Sequence, residues 1–172
     1  MKNALVILAG GKGDRFGGSI PKQFTKIGQH NFIEYILDNI PINTFKIIVI
    51  SCKKNHIKKY LKKINNYANK SKVLFSNPGK TRQESSFNAL KKLKPLNTKN
   101  VLIHDSARPF VSNKLIIKII KNLKNYHSVV PFVVYNDKKL INNKEIIDKI
   151  KNIQTPQGFN FNLLYLAHKK LQ

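Results

Sequence analysis

Cysteine, tryptophan and long apolar runs are scarce or absent in this sequence. Its 172 residues include no tryptophan and a single cysteine, Cys52, which excludes an internal disulfide and a metal site built from several cysteines. The apolar run ALVIL, residues 4–8, is too short for a signal peptide or a membrane span and leads directly into glycines. We therefore expect one domain over residues 1–172, located in the cytoplasm and without membrane contact.

Acidic residues are also scarce. Eight Asp and Glu stand against 32 Lys and Arg, which gives a formal net charge of +24. Such a charge can indicate a nucleic-acid partner. The lysines, however, are spread along the whole chain and are not interleaved with aromatic residues that could stack on bases. We interpret the charge as a solvated, lysine-rich surface and expect no specific nucleic-acid partner; a nucleic-acid footprint is the alternative.

Arginine is the third scarce residue, with only Arg15, Arg82 and Arg108 in the chain. Lysine supplies nearly all of the positive charge, whereas the planar, five-donor guanidinium of arginine occurs at only three positions. Each of the three lies in a loop that follows an apolar run. This placement indicates functional sites rather than a general surface charge.

The apolar runs predict strands that alternate with helices. Most runs are continuous, as expected for strands buried on both faces; they are residues 4–8, 45–51, 72–76, 101–105 and 128–134. Helical patterns cover residues 31–40, 55–68, 84–93 and 113–126, with a last helix from near Asn162. This alternation predicts an α/β fold, a Rossmann-like three-layer α/β/α sandwich with a mainly parallel sheet. Residues at about 136–150 predict a two-stranded β-arm that turns near Asn142 and Asn143.

Three loops are expected to meet at one edge of this sheet. They are residues 9–22, 77–85 and 105–109, and together they hold all three arginines. In open α/β sheets, ligands bind beyond the carboxyl ends of the strands. The convergence of separate segments on that edge therefore predicts the ligand site.

The first loop has the composition of a phosphate-binding loop. No GK[ST] follows, so it is not a Walker A motif, and Phe16 stands where the third glycine of a dinucleotide fingerprint belongs. Glycines still allow backbone N–H groups to approach a phosphate. Lys12, Arg15 and Lys22 add positive charge around them. A merely flexible turn is the alternative.

The segment GGKGDRFGGSIPKQF resembles the G-x-G-x-R-[MF]-x(n)-P-K-Q-[FY] signature of nucleotidyltransferases that join a nucleoside triphosphate to a sugar phosphate. Three later segments, GKTRQESSFNAL, HDSARPF and IQTPQGF, resemble in order the motifs of the 2-C-methyl-D-erythritol 4-phosphate cytidylyltransferase family. The resemblance implies the nucleotidyltransferase type of fold and transfer of a cytidylyl group from CTP to that acceptor, with release of pyrophosphate, in non-mevalonate isoprenoid biosynthesis. It also implies Mg²⁺, a cation that takes most of its ligands from phosphates and water, and a homodimer formed through the arm.

The resemblance also implies roles for individual residues. Lys22 and Arg15 match the catalytic cations, with Lys22 on the α-phosphate and Arg15 toward the leaving group. Asp105 matches the carboxylate near the ribose and the metal, Arg108 the arginine beside the sugar phosphate, and Lys138 stands where the family has a threonine near that phosphate. The remaining positions match the nucleotide-binding segments; they are Ala9, Gly10, Gly11, Gly13, Gly79, Arg82 and Ser85.

The sequence departs from the family pattern at several points. Lys80 replaces an acidic residue, and the arginine that the family donates from the neighbouring subunit has only Lys149 or Lys151 as candidates. The family's later T-[DE]-[DE] and N-x-K segments are not present. A ribitol 5-phosphate or other sugar-phosphate nucleotidyltransferase, an inactive truncated homologue and a non-catalytic basic binding module are the alternatives. We interpret His104 as a packed or hydrogen-bonding strand residue.

Overall fold

The structure is a computed structural model that describes residues 2–11, 20–67, 70–141 and 144–171. Within these ranges, residues 62, 63, 65, 136–141 and 144–148 are described by their backbone only. The predictions for Lys12, Gly13 and Arg15 lie outside the described residues, as do the predicted turn near Asn142 and Asn143 and the prediction for the Lys138 side chain.

Ten strands and five α-helices follow one another along the described chain. The strands are β1 (Asn3–Leu8), β2 (Lys26–Ile27), β3 (His30–Asn31), β4 (Ile47–Ser51), β5 (Lys72–Ser76), β6 (Asn100–Asp105), β7 (Ser128–Val129), β8 (Phe132–Ile141), β9 (Lys144–Ile153) and β10 (Gln157–Asn160). The helices are α1 (Phe32–Asn39), α2 (Lys54–Tyr60), α3 (Arg82–Leu93), α4 (Asn113–Asn122) and α5 (Phe161–Lys170). Short 3-10 turns cover Lys22–Phe24, Ile42–Thr44, Lys62–Tyr67 and Lys94–Leu96.

Six strands form the central sheet in the order β5-β4-β1-β6-β10-β7. The pairs β5–β4, β4–β1 and β1–β6 are parallel, whereas β10 is antiparallel to both of its neighbours. The mainly parallel sheet predicted from the sequence is therefore confirmed.

Helices cover both faces of this sheet because the buried strands are apolar on both sides. On β1, Leu5 and Ile7 belong to a core with α1 and α4, while Ala4 and Val6 belong to a core with α3 and α5. Strands β4 and β6 alternate in the same way, which is the period of two that a strand imposes. The three-layer α/β/α sandwich is confirmed.

Polar side chains cap the N-termini of several helices. The Ser112 side chain accepts the Leu115 N–H at the start of α4, and Asn31 forms a capping box with Glu34 at the start of α1. The Asn160 side chain accepts the Leu163 N–H at the start of α5. Across the described residues, no helix is both long enough and apolar enough to cross a membrane.

Three predicted elements are divided or shorter in the structure. Residues 128–134 are not one strand, because Pro131 lacks an N–H donor and the chain leaves the sheet between β7 and β8. The helix predicted over 55–68 is α2 followed by a 3-10 turn, since Leu61 leaves the helical conformation. The helix predicted over 113–126 ends at Asn122 and continues as a turn through 123–125.

The carboxyl ends of four strands lie in one row. Ser76 pairs with Ser51, Ser51 with Leu8, and Leu8 with Asp105. The loops that follow β1, β5 and β6 therefore leave the sheet side by side, as the sequence predicted. One of them is shorter than expected, because Arg82 begins α3 instead of lying in the loop.

The arm is a two-stranded antiparallel ribbon made of β8 and β9. It pairs from Phe132–Ile153 at its base to Ile141–Lys144 at its tip. The arm predicted at about 136–150 is thus present and begins earlier, at Phe132.

Candidate active site

The loop after β1 is tied to the sheet by backbone and amide contacts. Ala9 donates its N–H to the Ser51 carbonyl at 2.9 Å, and its own carbonyl accepts a hydrogen bond from Gln23 Nε2 at 2.8 Å. Gln23 Nε2 also donates to the Gly11 carbonyl at 2.9 Å. The backbone groups of Ala9 are therefore occupied within the fold, so of the three predicted backbone positions only Gly10 and Gly11 line the cavity described below.

Gln23 is a site residue that the sequence reasoning missed. Its side chain is 5% exposed and holds both ends of the described part of the first loop. The signal was available, because Gln23 follows Lys22 in the PKQF segment that carried the resemblance.

Gly10 is required by the approach of a second loop. A Cβ at this position would lie 2.2 Å from the Pro78 Cβ, a separation that rigid atoms do not tolerate. The loops after β1 and β5 thus touch through Gly10 and Pro78. Packing alone explains this glycine, whatever the backbone binds.

The loop after β5 is folded by the first turn of α3. Ser85 Oγ accepts the Gly79 N–H at 2.9 Å and donates to the Thr81 carbonyl at 2.9 Å. The Glu84 carboxylate accepts the Lys80 N–H at 2.8 Å, and a Cβ on Gly79 would lie 2.4 Å from the Glu84 side chain. Gly79 and Ser85 are therefore brought together as predicted, and the Ser85 hydroxyl shapes the loop.

Arg82, at the start of α3, and Asp105, at the end of β6, form an ion pair in the candidate site. Arg82 Nε lies 3.0 Å from Asp105 Oδ1, and a terminal Arg82 nitrogen donates to Gln157 Oε1 at 3.3 Å. Both side chains of the ion pair are partly exposed, so the pair contributes little to stability. The ion pair instead fixes the position of the Arg82 guanidinium.

Arg108 is held from both of its ends. Its N–H donates to the Asp105 carbonyl at 3.0 Å, its carbonyl lies 3.0 Å from His104 Nε2, and its guanidinium contacts the amide oxygen of Gln154. His104 is 1% exposed, and burial lowers the pKa of its imidazole to about 4. His104 is therefore neutral at physiological pH.

Two cavities meet at Arg108. The first cavity, of about 1030 Å³, is bounded by the loops after β1, β5 and β6, and its charged lining residues are Lys53, Lys80, Glu84, Arg82, Asp105 and Arg108. The second cavity, of about 520 Å³, is lined by Lys22, Arg108 and Thr155 and by the apolar residues Phe32 and Phe110, among others. Cations outnumber acids in both linings. Such a pair of cavities can hold two phosphate-bearing ligands side by side, with Arg108 between them.

Asp105 and Glu84 are the carboxylates that line the first cavity, and Asp105 is the one that the resemblance assigns to a divalent cation. In the described part of the chain, no three His, Cys, Asp or Glu residues cluster as a metal site. Asp105 lies at the end of β6 in the first cavity, and the oxygen that Arg82 does not contact can serve as a ligand. A single carboxylate fits Mg²⁺ when phosphate oxygens and water supply the other ligands.

Lys138, Lys149 and Lys151 lie in the arm. They are the predicted replacements for the family's threonine and for its arginine from the neighbouring subunit. The backbone of Lys138 lies in β8, and the side chains of Lys149 and Lys151 lie on β9. The Lys151 ammonium is 5.2 Å from the ring centroid of Phe132 at the base of the arm. Within the described chain it is thus turned toward the arm's own aromatic residue.

Known proteins resemble this chain over its whole length. The family model for 2-C-methyl-D-erythritol 4-phosphate cytidylyltransferase matches residues 3–172. A protein of that name from Thermosipho melanesiensis is 35% identical over 99% of this chain and 78% of its own length, and a "Bifunctional enzyme IspD/IspF" from Pelagibacter ubique is 37% identical over 96% of this chain and 45% of its own. The crystal structure of 4-diphosphocytidyl-2C-methyl-D-erythritol synthase from Anaerococcus prevotii superposes with a TM-score of 0.77 at 26% identity, covering 99% of this chain and 76% of that one. With the match to the family model, these relatives place the chain in the 2-C-methyl-D-erythritol 4-phosphate cytidylyltransferase family.

Proposed function

We propose that this chain transfers the cytidylyl group of CTP to 2-C-methyl-D-erythritol 4-phosphate and releases pyrophosphate, in non-mevalonate isoprenoid biosynthesis. The observation that carries the proposal is the pair of cationic cavities that meet at Arg108. Two phosphate-bearing substrates must lie next to each other for this transfer, and the cavities offer adjoining places for them. The family to which the chain belongs supplies the identities of both substrates.

The chemistry asks mainly for positioning and for compensation of negative charge. An oxygen of the acceptor phosphate attacks the α-phosphorus of CTP, and the bond from that phosphorus to the oxygen of the departing pyrophosphate breaks. Charge builds on phosphoryl oxygens in the transition state, where fixed cations stabilise it. We assign the stabilisation of this charge to Lys22 and Arg15. We assign the binding of the acceptor phosphate to Arg108.

The nucleotide belongs in the first cavity. Gly79, Arg82 and Ser85, which the resemblance assigns to cytosine, line this cavity together with Gly10 and Gly11, which it assigns to the backbone that approaches the nucleotide. When bound, Mg²⁺ would neutralise charge on the triphosphate, and Asp105 is the residue that would hold it.

A homodimer formed through the arm is part of the proposal. Four consecutive residues of β8, Phe132 to Tyr135, are exposed, although successive residues of a strand point to opposite faces. The base of the arm thus presents apolar side chains on both faces. An isolated two-stranded ribbon is marginally stable in water, so a second copy of the chain is a suitable cover. We propose the cytoplasm as the location, because CTP is made there.

The test is pyrophosphate release from purified protein with CTP, Mg²⁺ and 2-C-methyl-D-erythritol 4-phosphate. Ribitol 5-phosphate as acceptor and ATP as donor serve as parallel reactions. Lys22→Ala should abolish release in a folded protein, whereas Lys26→Ala, a change at an exposed lysine of β2, should leave it unchanged. Faster release with ribitol 5-phosphate would transfer the assignment to that acceptor, and silence from folded protein with every pair would contradict the proposal.

A further inference from the structure

His104 lies at the point where the paired part of two strands ends. The ladder between β6 and β10 runs from Asn100–Asn160 to Ile103–Gln157 and goes no further. Beyond it, His104 and Thr155 continue the connection through their side chains, with Thr155 Oγ1 3.1 Å from His104 Nδ1. This contact joins residues 51 positions apart and is buried.

The partners of His104 define which ring nitrogen carries the proton. The Arg108 carbonyl, 3.0 Å from Nε2, can only accept a hydrogen bond, so Nε2 donates. Nδ1 then accepts from the Thr155 hydroxyl. That hydroxyl in turn accepts the Asp105 N–H at 3.3 Å. Each group has a partner of the right kind only when the imidazole is neutral and protonated on Nε2.

These contacts close a ring that includes the guanidinium of Arg108. One side of His104 holds the Arg108 carbonyl, and the other side holds Thr155. Gln154 precedes Thr155 in the chain and contacts the Arg108 guanidinium. The backbone and the side chain of Arg108 are therefore both fixed through a single imidazole.

We propose that His104 is a positioning residue, which places the Arg108 guanidinium between the two cavities by holding the Arg108 carbonyl and Thr155 together. The functional consequence rests on the proposed acceptor role of Arg108. Loss of His104 should leave the part of the first cavity that Gly79 and Ser85 line intact. It should loosen the Arg108 guanidinium and so weaken binding of the acceptor. His104 itself touches no reacting atom.

Two measurements test this inference, and the first needs no turnover. Long-range ¹H–¹⁵N spectra of the histidine nitrogens should show His104 protonated on Nε2. The chain has three arginines, so their Nε–H signals are few, and the Arg108→Lys variant identifies the one from Arg108. This signal should move in His104→Leu and in Thr155→Val, and should stay in place in Ile103→Val, the matched change in the same strand.

The second measurement separates the two substrates. In His104→Leu, the KM for the acceptor should rise about tenfold, which is the loss of roughly one hydrogen bond, while the KM for CTP changes by less than about twofold. His104→Gln, whose amide nitrogen can take the place of Nε2, should restore part of the acceptor affinity. His104→Asn, whose amide oxygen can take the place of Nδ1, tests the link to Thr155 by itself.

The outcomes are distinguishable. An imidazole protonated on Nδ1, or an Arg108 signal that ignores His104→Leu and Thr155→Val, overturns the positioning role whether or not the protein is active. Equal increases in both KM values also overturn it, because they indicate general damage. A wild-type protein without turnover but with the expected tautomer and signal shifts retains the positioning role and contradicts only the proposed function.

Discussion

Amide side chains hold much of the described site in place at the residue scale. Gln23 binds two carbonyls of the first loop, Gln154 contacts Arg108, and Gln157 accepts from Arg82. An amide can donate and accept without adding charge, so it orients a guanidinium without neutralising it. The positive charge of Arg108, whose guanidinium contacts an amide, thus remains available to anionic ligands, whereas Arg82 also pairs with Asp105.

Gln23→Glu tests the first of these amides. The carboxylate has the same shape but cannot donate, so the carbonyls of the buried Ala9 and of the exposed Gly11 would face negative charge instead of an N–H donor. We expect the free energy of unfolding to fall by about 2 kcal/mol, measured by urea denaturation, with a higher KM for CTP. The exposed Gln29→Glu is the control for added charge, and equal losses in both variants would contradict the role of Gln23.

The sequence indicated the charged residues of the site but not the groups that hold them. Arg82, Asp105 and Arg108 were predicted because charge and motif position mark them. Gln154 and Thr155 lie about 50 residues from the residues they contact. Such pairings depend on which strands become neighbours, and no local pattern carries that information.

Close contact between two loops defines the site at the scale of elements. A single strand, β4, lies between β1 and β5 in the sheet. The loops that follow β1 and β5 are therefore close enough to touch at Gly10 and Pro78. Residues of both loops line the first cavity, so the contact between Gly10 and Pro78 forms part of its boundary.

Gly10→Ala should push these loops apart. The new methyl group would overlap the Pro78 ring, and a proline ring on a fixed backbone has little room to yield. We expect a loss of about 1–3 kcal/mol in the free energy of unfolding, together with weaker CTP binding measured by calorimetry. Gly11→Ala is the matched control, since no described atom lies within 4 Å of its added Cβ, and a control as damaged as Gly10→Ala would refute the packing explanation.

Strand positions were predictable because continuous apolar runs mark strands buried on both faces. The prediction was wrong at 128–134, where two apolar pieces flank Pro131 and belong to different sheets. Both pieces end in two valines, so apolar character alone does not divide them. Only the missing N–H of the proline separates them, and its effect depends on whether the chain stays in the ladder.

At the scale of the whole molecule, the base of the arm presents an apolar surface to solvent. Exposed apolar residues cluster at its base, at Phe132, Val133, Val134, Tyr135 and Ile153. A net charge of +24 opposes association of two copies. Self-association therefore requires an apolar contact strong enough to overcome this repulsion, and it should strengthen as salt screens the charges.

Val133→Lys tests whether the arm makes that contact. Val133 is 52% exposed on β8, and Ile117, 53% exposed on α4, is the matched control because Ile117→Lys adds the same charge at an equally exposed apolar position away from the arm. We expect wild type and Ile117→Lys to sediment as dimers at 0.5 M NaCl, and Val133→Lys as a monomer, because a buried ammonium at an interface between two cationic copies is unpaired. A dimer that survives Val133→Lys but dissociates in Ile117→Lys would move the interface from the arm to α4.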